Sequence, residues 1–451
     1  MLKSSGHRPE VVFVTHDSVS DQFDRRITDQ AEIFAREGWN VFVACSSNQG
    51  ALVRKGRLTL VGFSNSVSKN DFIEFESSLK SCQEGTRDDN GPGGGIPEIK
   101  RMSYKVSFIH YFGKLLSLRL KNYLKSSKLF ISAIRFITSE PKPSTVLPNW
   151  LEQSAKSYLQ VRDSRPDLIV ACDLPAAIGV MPVAMRHDIK WWFDAHEIFT
   201  EQNWVKAQGG TEKIKDLEKL VIRNATYFSS VNQSAITHLL KAASVVRDSI
   251  VITNALKLER ENSIIVDENQ LLNKKIRFIF HGGLSSGRSL YDFVSGLLRC
   301  ADTNWSIDLF GWDPDPRLAE FKEDERIRVL SQVTTESIPE LLSDYDCVVL
   351  PYKVWDINTL YAMPNKLGDA IAKRLPVIYN EELVEVDKNN SLYGFGVPFK
   401  YGNRLEETST SLDSALSKLR LFSTDWQKVQ KDLGYAWNEA QILKIIQEST
   451  S

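Results

Sequence analysis

Cysteine is scarce and unpatterned in this chain. Cys45, Cys82, Cys172, Cys300 and Cys347 are odd in number, scattered and never spaced as CxxC, so neither a disulfide framework nor a zinc site is indicated, and a reducing compartment fits best. Long apolar runs are also missing. Nowhere do about 18 apolar residues run together, as a membrane-spanning helix needs, and the N-terminus lacks the apolar core of a secretory leader, so export by that route is not expected. Charge of one sign is not in excess: 56 Lys and Arg against 57 Asp and Glu leave a formal charge of −1, which gives no global field for nucleic acid. The seven histidines are dispersed and none pairs with another at i, i+4, so no metal site is expected.

What is present is an ordinary globular composition, 42% hydrophobic over 451 residues, enough for two or three domains with sizeable cores. Val11 to Thr15 is a β-branched run, followed by a helical pattern from Ile27 to Ala35, a stop at Gly38 and a second strand from Val41 to Cys45. Near-continuous apolar strands alternating with helices are what a parallel sheet covered on both faces requires. The pattern resumes at 167–172, 190–194, 227–231 and 249–252, which makes residues 1–255 a first doubly wound domain. It restarts at 276–280, 305–310, 327–330, 347–350 and 376–379, so residues 256–425 form a second α/β domain. The tail, 426–451, reads as a helical pattern placed to pack back across the first domain.

Residues 64–150 interrupt this regularity. Between Lys100 and Arg135 there are nine Lys or Arg and no Asp or Glu, interleaved with Phe108, Tyr111, Phe112 and several leucines. Such a segment suits either an interfacial helix pair on an anionic membrane surface or a packed helical insertion with a solvated face.

In open α/β sheets ligands bind beyond the carboxyl ends of the strands. Strand-end segments with chemistry are His16-Asp17, Asp173-Leu174-Pro175, Asp194-Ala195-His196-Glu197, and His281-Gly282-Gly283 leading to Arg288. The last offers uncovered backbone N–H groups, including that of Gly283, and a guanidinium beside a helix start, which together make an anion site. A second piece is Tyr352 followed by Pro364-Asn365-Lys366-Leu367-Gly368-Asp369. Pro364 fits a first helical turn, which sets Asn365 and Lys366 at the positive end of the dipole. Lys366 then suits phosphate, and Asp369 lies on nearly the same face, where a carboxylate can accept both hydroxyls of a ribose. A capped helix with a solvated Lys/Asp pair would look the same. His196 and Glu197 likewise read either as cleft residues or as a structural histidine and a helix cap. Asp17, Asp24, Asp173 and Asp194 are the other carboxylates placed to act as a base.

The series THD at 15–17, DRRITDQAEIFAREGWNV, PDLIVACDLPA, WFDAHEIFTE, VNQSA, HGGLSSGRSL and YAMPNKLGDAIAKRLPVI, in this order, resembles bacterial GT-B glycosyltransferases of the family 4 type. The resemblance covers nearly the whole chain outside 64–150. It implies two facing Rossmann-like domains with a deep interdomain cleft, a nucleoside-diphosphate sugar held mainly by the second domain, and a glycan or lipid-linked acceptor on the first. By position, Arg288 and Lys366 would neutralise the diphosphate, Asp369 would hold the ribose, the loop around Gln332 would contact the base, and His196 would face the transferred sugar or the acceptor. Tyr361 stands where many relatives carry an earlier acidic residue. The implied activity is a metal-independent hexosyl transfer, retaining in similar proteins, for envelope polysaccharide synthesis on the cytoplasmic side, with no cofactor beyond the sugar nucleotide. The alternatives are a nucleotide-sugar epimerase of the same fold and a non-catalytic nucleotide-sugar-binding protein. An oxidoreductase is disfavoured because no GxGxxG follows the first strand.

Overall fold

The computed structural model describes residues 8–18, 25–46, 52–55, 57–63, 67–85, 149–207, 211–258, 271–272 and 274–450. The basic segment 100–135, the glycine-rich stretch at 91–95 and Asp24 lie outside these residues.

The first sheet holds β1 (Glu10–Ser18), β2 (Asn40–Ser46), β3 (Leu52–Lys55), β4 (Leu58–Phe63), β5 (Leu168–Cys172), β6 (Lys190–Ala195), β7 (Tyr227–Ser230) and β8 (Ile250–Val251). Its order is β3-β4-β2-β1-β5-β6-β7-β8. All neighbours are parallel except the β3–β4 hairpin. The second sheet is wholly parallel, with β9 (Ile276–His281), β10 (Trp305–Gly311), β11 (Ile327–Ser331), β12 (Cys347–Leu350), β13 (Val377–Asn380) and β14 (Gly396–Phe399) in the order β11-β10-β9-β12-β13-β14.

Burial explains why these runs are strands. Every side chain of β5 and β12 is buried, so both faces are covered and alternation is lost. Each sheet reverses its winding once, at β1/β5 in the first and β9/β12 in the second. Those switch points open a crevice at the strands' carboxyl ends, which is where Asp173, His281 and Arg288 follow.

Three features depart from the sequence reading. The β3–β4 hairpin and β14 add strands to the sheet edges. The helix Lys69–Gly85, inside the expected interruption, buries Phe72, Phe75, Leu79 and Cys82 against the helices Asn149–Val161 and Asp173–His187. The tail is two helices, not one. Trp426–Leu433 packs on the helix Asn365–Ala372 of the second domain, and after Gly434 the helix Tyr435–Thr450 crosses to the first. There Ile442, Ile445 and Ile446 join Phe13, Phe34 and Trp39 in one apolar cluster. Asn438 bonds the backbone of Thr253 in both directions, at 2.9 and 2.7 Å. Trp437, on the same helix, is 40% exposed.

Candidate active site

The second domain supplies a positive cradle. β9 ends at His281, and Gly282 follows at φ +116°, a backbone state that L side chains rarely adopt. A Cβ on Gly282 would lie 2.9 Å from Lys366 Nζ, and one on Gly311 would lie 1.8 Å from the Gly282 carbonyl oxygen. The loop therefore needs glycine at 282 for its backbone conformation and at 311 to let the neighbouring strand approach. Lys366 Nζ stands 4.4 Å from the Phe280 ring centre and 5.9 Å from that of Tyr352. The Arg288 guanidinium lies 5.5 Å from the same Tyr352 ring. One buried tyrosine thus forms the floor beneath both cations, and it is fixed by Asn380 donating to its carbonyl at 2.9 Å and by packing on Phe280.

Pro364 is the N-cap of the helix Asn365–Ala372, one position earlier than the first turn expected for it. Asn365 and Lys366 are then its first two residues, still at the positive end of the dipole. Leu367 points into the core, and its N–H donates to the Pro364 carbonyl at 2.9 Å, so it offers a ligand neither side chain nor amide. Gly283 lies under Trp312. Gln332 follows β11, the edge strand two places from β9, and is exposed at the same end of the sheet.

Asp369 departs most from expectation. Its carboxylate is 1% exposed. It accepts from Arg25 Nη1 of the first domain at 2.5 Å, and its other oxygen faces His281 Nε2 at 3.4 Å. Burial raises the Asp369 carboxyl against the opposing pull of Arg25 and Lys366. Burial, Lys366 and Arg25 together hold the His281 ring well below the ordinary imidazole value, hence neutral. In this arrangement Asp369 is one half of an interdomain ion pair, so a ribose would meet a carboxylate that already holds Arg25 on one oxygen.

On the first domain, Asp194 is the penultimate residue of β6 and is completely buried. Arg26 grips it with Nε at 3.0 Å and Nη2 at 2.5 Å, Gln30 Nε2 donates at 2.7 Å and Ser229 Oγ at 2.5 Å. Burial alone would raise this carboxyl, but Arg26 and His196 outweigh it and hold it far below the usual carboxylate range. With these donors on it, Asp194 is an anchor and not an available base. His196 is only 11% exposed, and both ring nitrogens face carboxylates: Nε2 meets Asp194 at 3.2 Å and Nδ1 meets Asp173 at 3.8 Å. Burial disfavours its charge, yet Asp173 and Asp194 prevail over burial and Arg26, so the ring titrates well above the ordinary value. The ring expected to face sugar or acceptor is thus also held between two carboxylates.

Asp173 accepts the His196 backbone N–H at 2.9 Å from a left-handed position, φ +67°, a strained state that tends to mark functional sites. Glu197 is exposed as a residue, while charged groups of both domains, Asp173, His196, Arg288 and Asp356, act on its carboxyl. Burial, then Asp173, pushes its carboxyl up to about 7, with His196 and Arg288 opposing. Glu197 is therefore within electrostatic reach of both domains' charged groups. Asp17 lies on β1, but its side chain is outside the described part.

The two domains are stitched along one side. Ile198 N–H donates to Asn358 at 2.8 Å, Asn203 N–H to Asp356 at 3.0 Å, Asn232 to the Tyr361 carbonyl at 2.7 Å and Asn254 to the Met363 carbonyl at 2.8 Å. Tyr361 thus serves through its backbone. Arg25, Arg26, Gln30 and Ser229 are the site residues that the sequence reading did not single out. The available signal was a pair of arginines at the start of an amphipathic helix, one of them on its buried face. Among the described residues, no group of three or more His, Cys, Asp or Glu is placed to hold a metal ion, and no helix is long and apolar enough to cross a membrane.

No family model matches the chain, and no curated protein matches it. Solved structures do. A glycosyltransferase from Rickettsia africae superposes with a TM-score of 0.57 at 13% identity, covering 98% of each chain. A sucrose-phosphate synthase from Thermosynechococcus elongatus gives 0.57 at 12%, covering 98% of this chain and 99% of its own. Anabaena HepE, in complex with UDP-glucose, gives 0.56 at 12%, covering 98% and 100%. At these identities the likeness establishes the architecture: the chain has the GT-B fold, two Rossmann-like α/β domains.

Proposed function

We propose that this chain is a glycosyltransferase of the family 4 type, moving a sugar of the hexose class from a nucleoside diphosphate to a hydroxyl acceptor. The single observation that carries the reading is the placement of Arg288 and Lys366 over one tyrosine ring, beside a glycine turn and a helix start. As the glycosidic bond breaks, negative charge collects on the departing diphosphate. Fixed cations and a helix N-terminus stabilise that charge, and these residues supply it without calling on a metal ion. Asp173 and Glu197 stand on the first domain's side, where an acceptor hydroxyl would be received. HepE was solved with UDP-glucose, which makes that compound the first donor to try.

The same reading carries further proposals: retention of configuration, a glycan or lipid-linked acceptor in envelope polysaccharide synthesis, and action at the cytoplasmic face. The basic segment 100–135 would supply contact with an anionic membrane. The test is incubation with a panel of labelled nucleotide sugars, with and without lipid-linked and glycan acceptors. Acceptor-dependent transfer, lost in Lys366→Ala, supports the proposal. Interconversion of two nucleotide sugars without an acceptor would replace it with an epimerase, and donor binding without any turnover would replace it with a binding protein.

A further inference from the structure

Several buried polar groups lie outside the diphosphate cradle, and one set forms a continuous chain. Arg26 and Gln30, one turn apart on the helix Arg25–Arg36, both donate to Asp194. Ser229 on β7 donates to it from the other side, and itself accepts from Trp192 Nε1 at 2.7 Å. Asp194 then faces His196 Nε2, and His196 Nδ1 faces Asp173. Four segments that are distant in sequence meet here with charges in alternating order: guanidinium, carboxylate, imidazole, carboxylate. Asp194 is wholly inside, whereas the His196 and Asp173 side chains keep 11% and 18% of their surface. The chain therefore runs from the core to the crevice and ends on a carboxylate.

We propose that Arg26, Asp194 and His196 form a positioning relay that fixes the Asp173 carboxylate to receive a hydrogen bond from the acceptor's hydroxyl. His196 has a carboxylate facing each ring nitrogen, Asp194 within hydrogen-bond reach at 3.2 Å and Asp173 at the ion-pair distance of 3.8 Å. It works as a cationic clip between two carboxylates that would otherwise repel each other. Independently of the ring, the His196 backbone N–H donates to the Asp173 carboxylate at 2.9 Å, and Asp173 itself is left-handed at φ +67°. The groups facing the ring include Asp173, Asp194 and Arg26, with Glu197 next in the chain. The two carboxylates outweigh the guanidinium, and this keeps the imidazole protonated. The acceptor part of the proposal rests on the transferase reading, and the relay itself does not.

Nitrogen-15 histidine NMR on the full chain decides the relay. His196→Gln assigns the resonance by its loss. The expected result is an imidazolium signal that stays constant from pH 6 to 8.5, and a neutral ring, or titration near the ordinary imidazole value, overturns the relay. Asp173→Asn spares the Arg26–Asp194 pair and is expected to bring the titration down into the measured range. No movement in that variant overturns the link to Asp173. In the transfer assay, His196→Gln should lower kcat by about 10- to 100-fold, the scale for losing an orienting partner, with nucleoside-diphosphate affinity unchanged by calorimetry. An equal loss of affinity would make His196 part of the donor site and overturn the positioning role. Failure of the wild type to turn over any donor would remove the transferase reading and the acceptor role together, while the NMR result still decides the relay.

Discussion

Replacing Asp194 by asparagine isolates the most buried charged side chain among the described residues. The substitution preserves shape but removes the anion that Arg26 grips through two nitrogens and that Gln30 and Ser229 also address. Arg26 is itself only 8% exposed, so its guanidinium would be left in the core without its countercharge. Breaking one side of a buried pair typically costs about 3–5 kcal/mol. With about 2–4 °C lost per kcal/mol in a domain of 150–250 residues, the first domain's melting transition should fall by roughly 6–20 °C. The pH dependence is a second signature. The folded carboxyl lies below its unfolded value of about 3.9, so its contribution is fully present above that value and is lost as the pH falls toward the folded pKa. Wild type should therefore lose stability more steeply than Asp194→Asn between about pH 5 and pH 3. The assay is thermal unfolding by circular dichroism at a series of pH values. A Tm drop under about 2 °C, or parallel pH slopes, would refute the reasoning that Asp194 is a buried, ionised anchor.

Gly282→Ala places a Cβ 2.9 Å from Lys366 Nζ at a positive φ; strain of about 1–3 kcal/mol should appear in urea unfolding, together with weaker nucleoside-diphosphate binding as the amine is displaced. Glu197, pushed up to about 7 by burial and by Asp173, should give the pH–rate profile a step near that value. The carboxyl is protonated below the step and ionised above it, and Glu197→Gln should abolish it. Deleting residues 100–135 should reduce sedimentation with anionic liposomes more at low salt than at high, because exposed charges are screened over about 10 Å at 0.1 M; equal sedimentation would end the membrane proposal.

The strands were legible because parallel strands covered on both faces read as unbroken apolar runs, as in Leu168–Cys172 and Cys347–Leu350. The β3–β4 hairpin was not, because an edge strand of four residues carrying Arg54 and Lys55 has too little apolar pattern to stand out. The tail looked like one helix because its apolar spacing hardly shifts at Gly434, although the halves pack on different domains. In the site, Arg288 and Lys366 were legible from local chemistry alone, each beside a glycine turn or a helix start. The anchor on Asp194 was not, since Arg26 lies 168 residues away and nothing local announces the partnership. The partner of Asp369 was hidden for the same reason. Helical spacing placed it beside Lys366, but its partner Arg25 is 344 residues away, and that contact decides what the carboxylate faces.

Calorimetric titration of UDP, and of GDP, ADP and dTDP in parallel, into wild type, Arg288→Ala, Lys366→Ala and the double variant tests the cradle directly. Each single variant should lose about 2–3 kcal/mol, the scale of a hydrogen bond to a charged group, raising Kd roughly 30- to 150-fold. The double variant should depart from additivity, because both cations address one diphosphate. Wild-type affinity in either single variant, or strictly additive losses in the double, would contradict a shared diphosphate site.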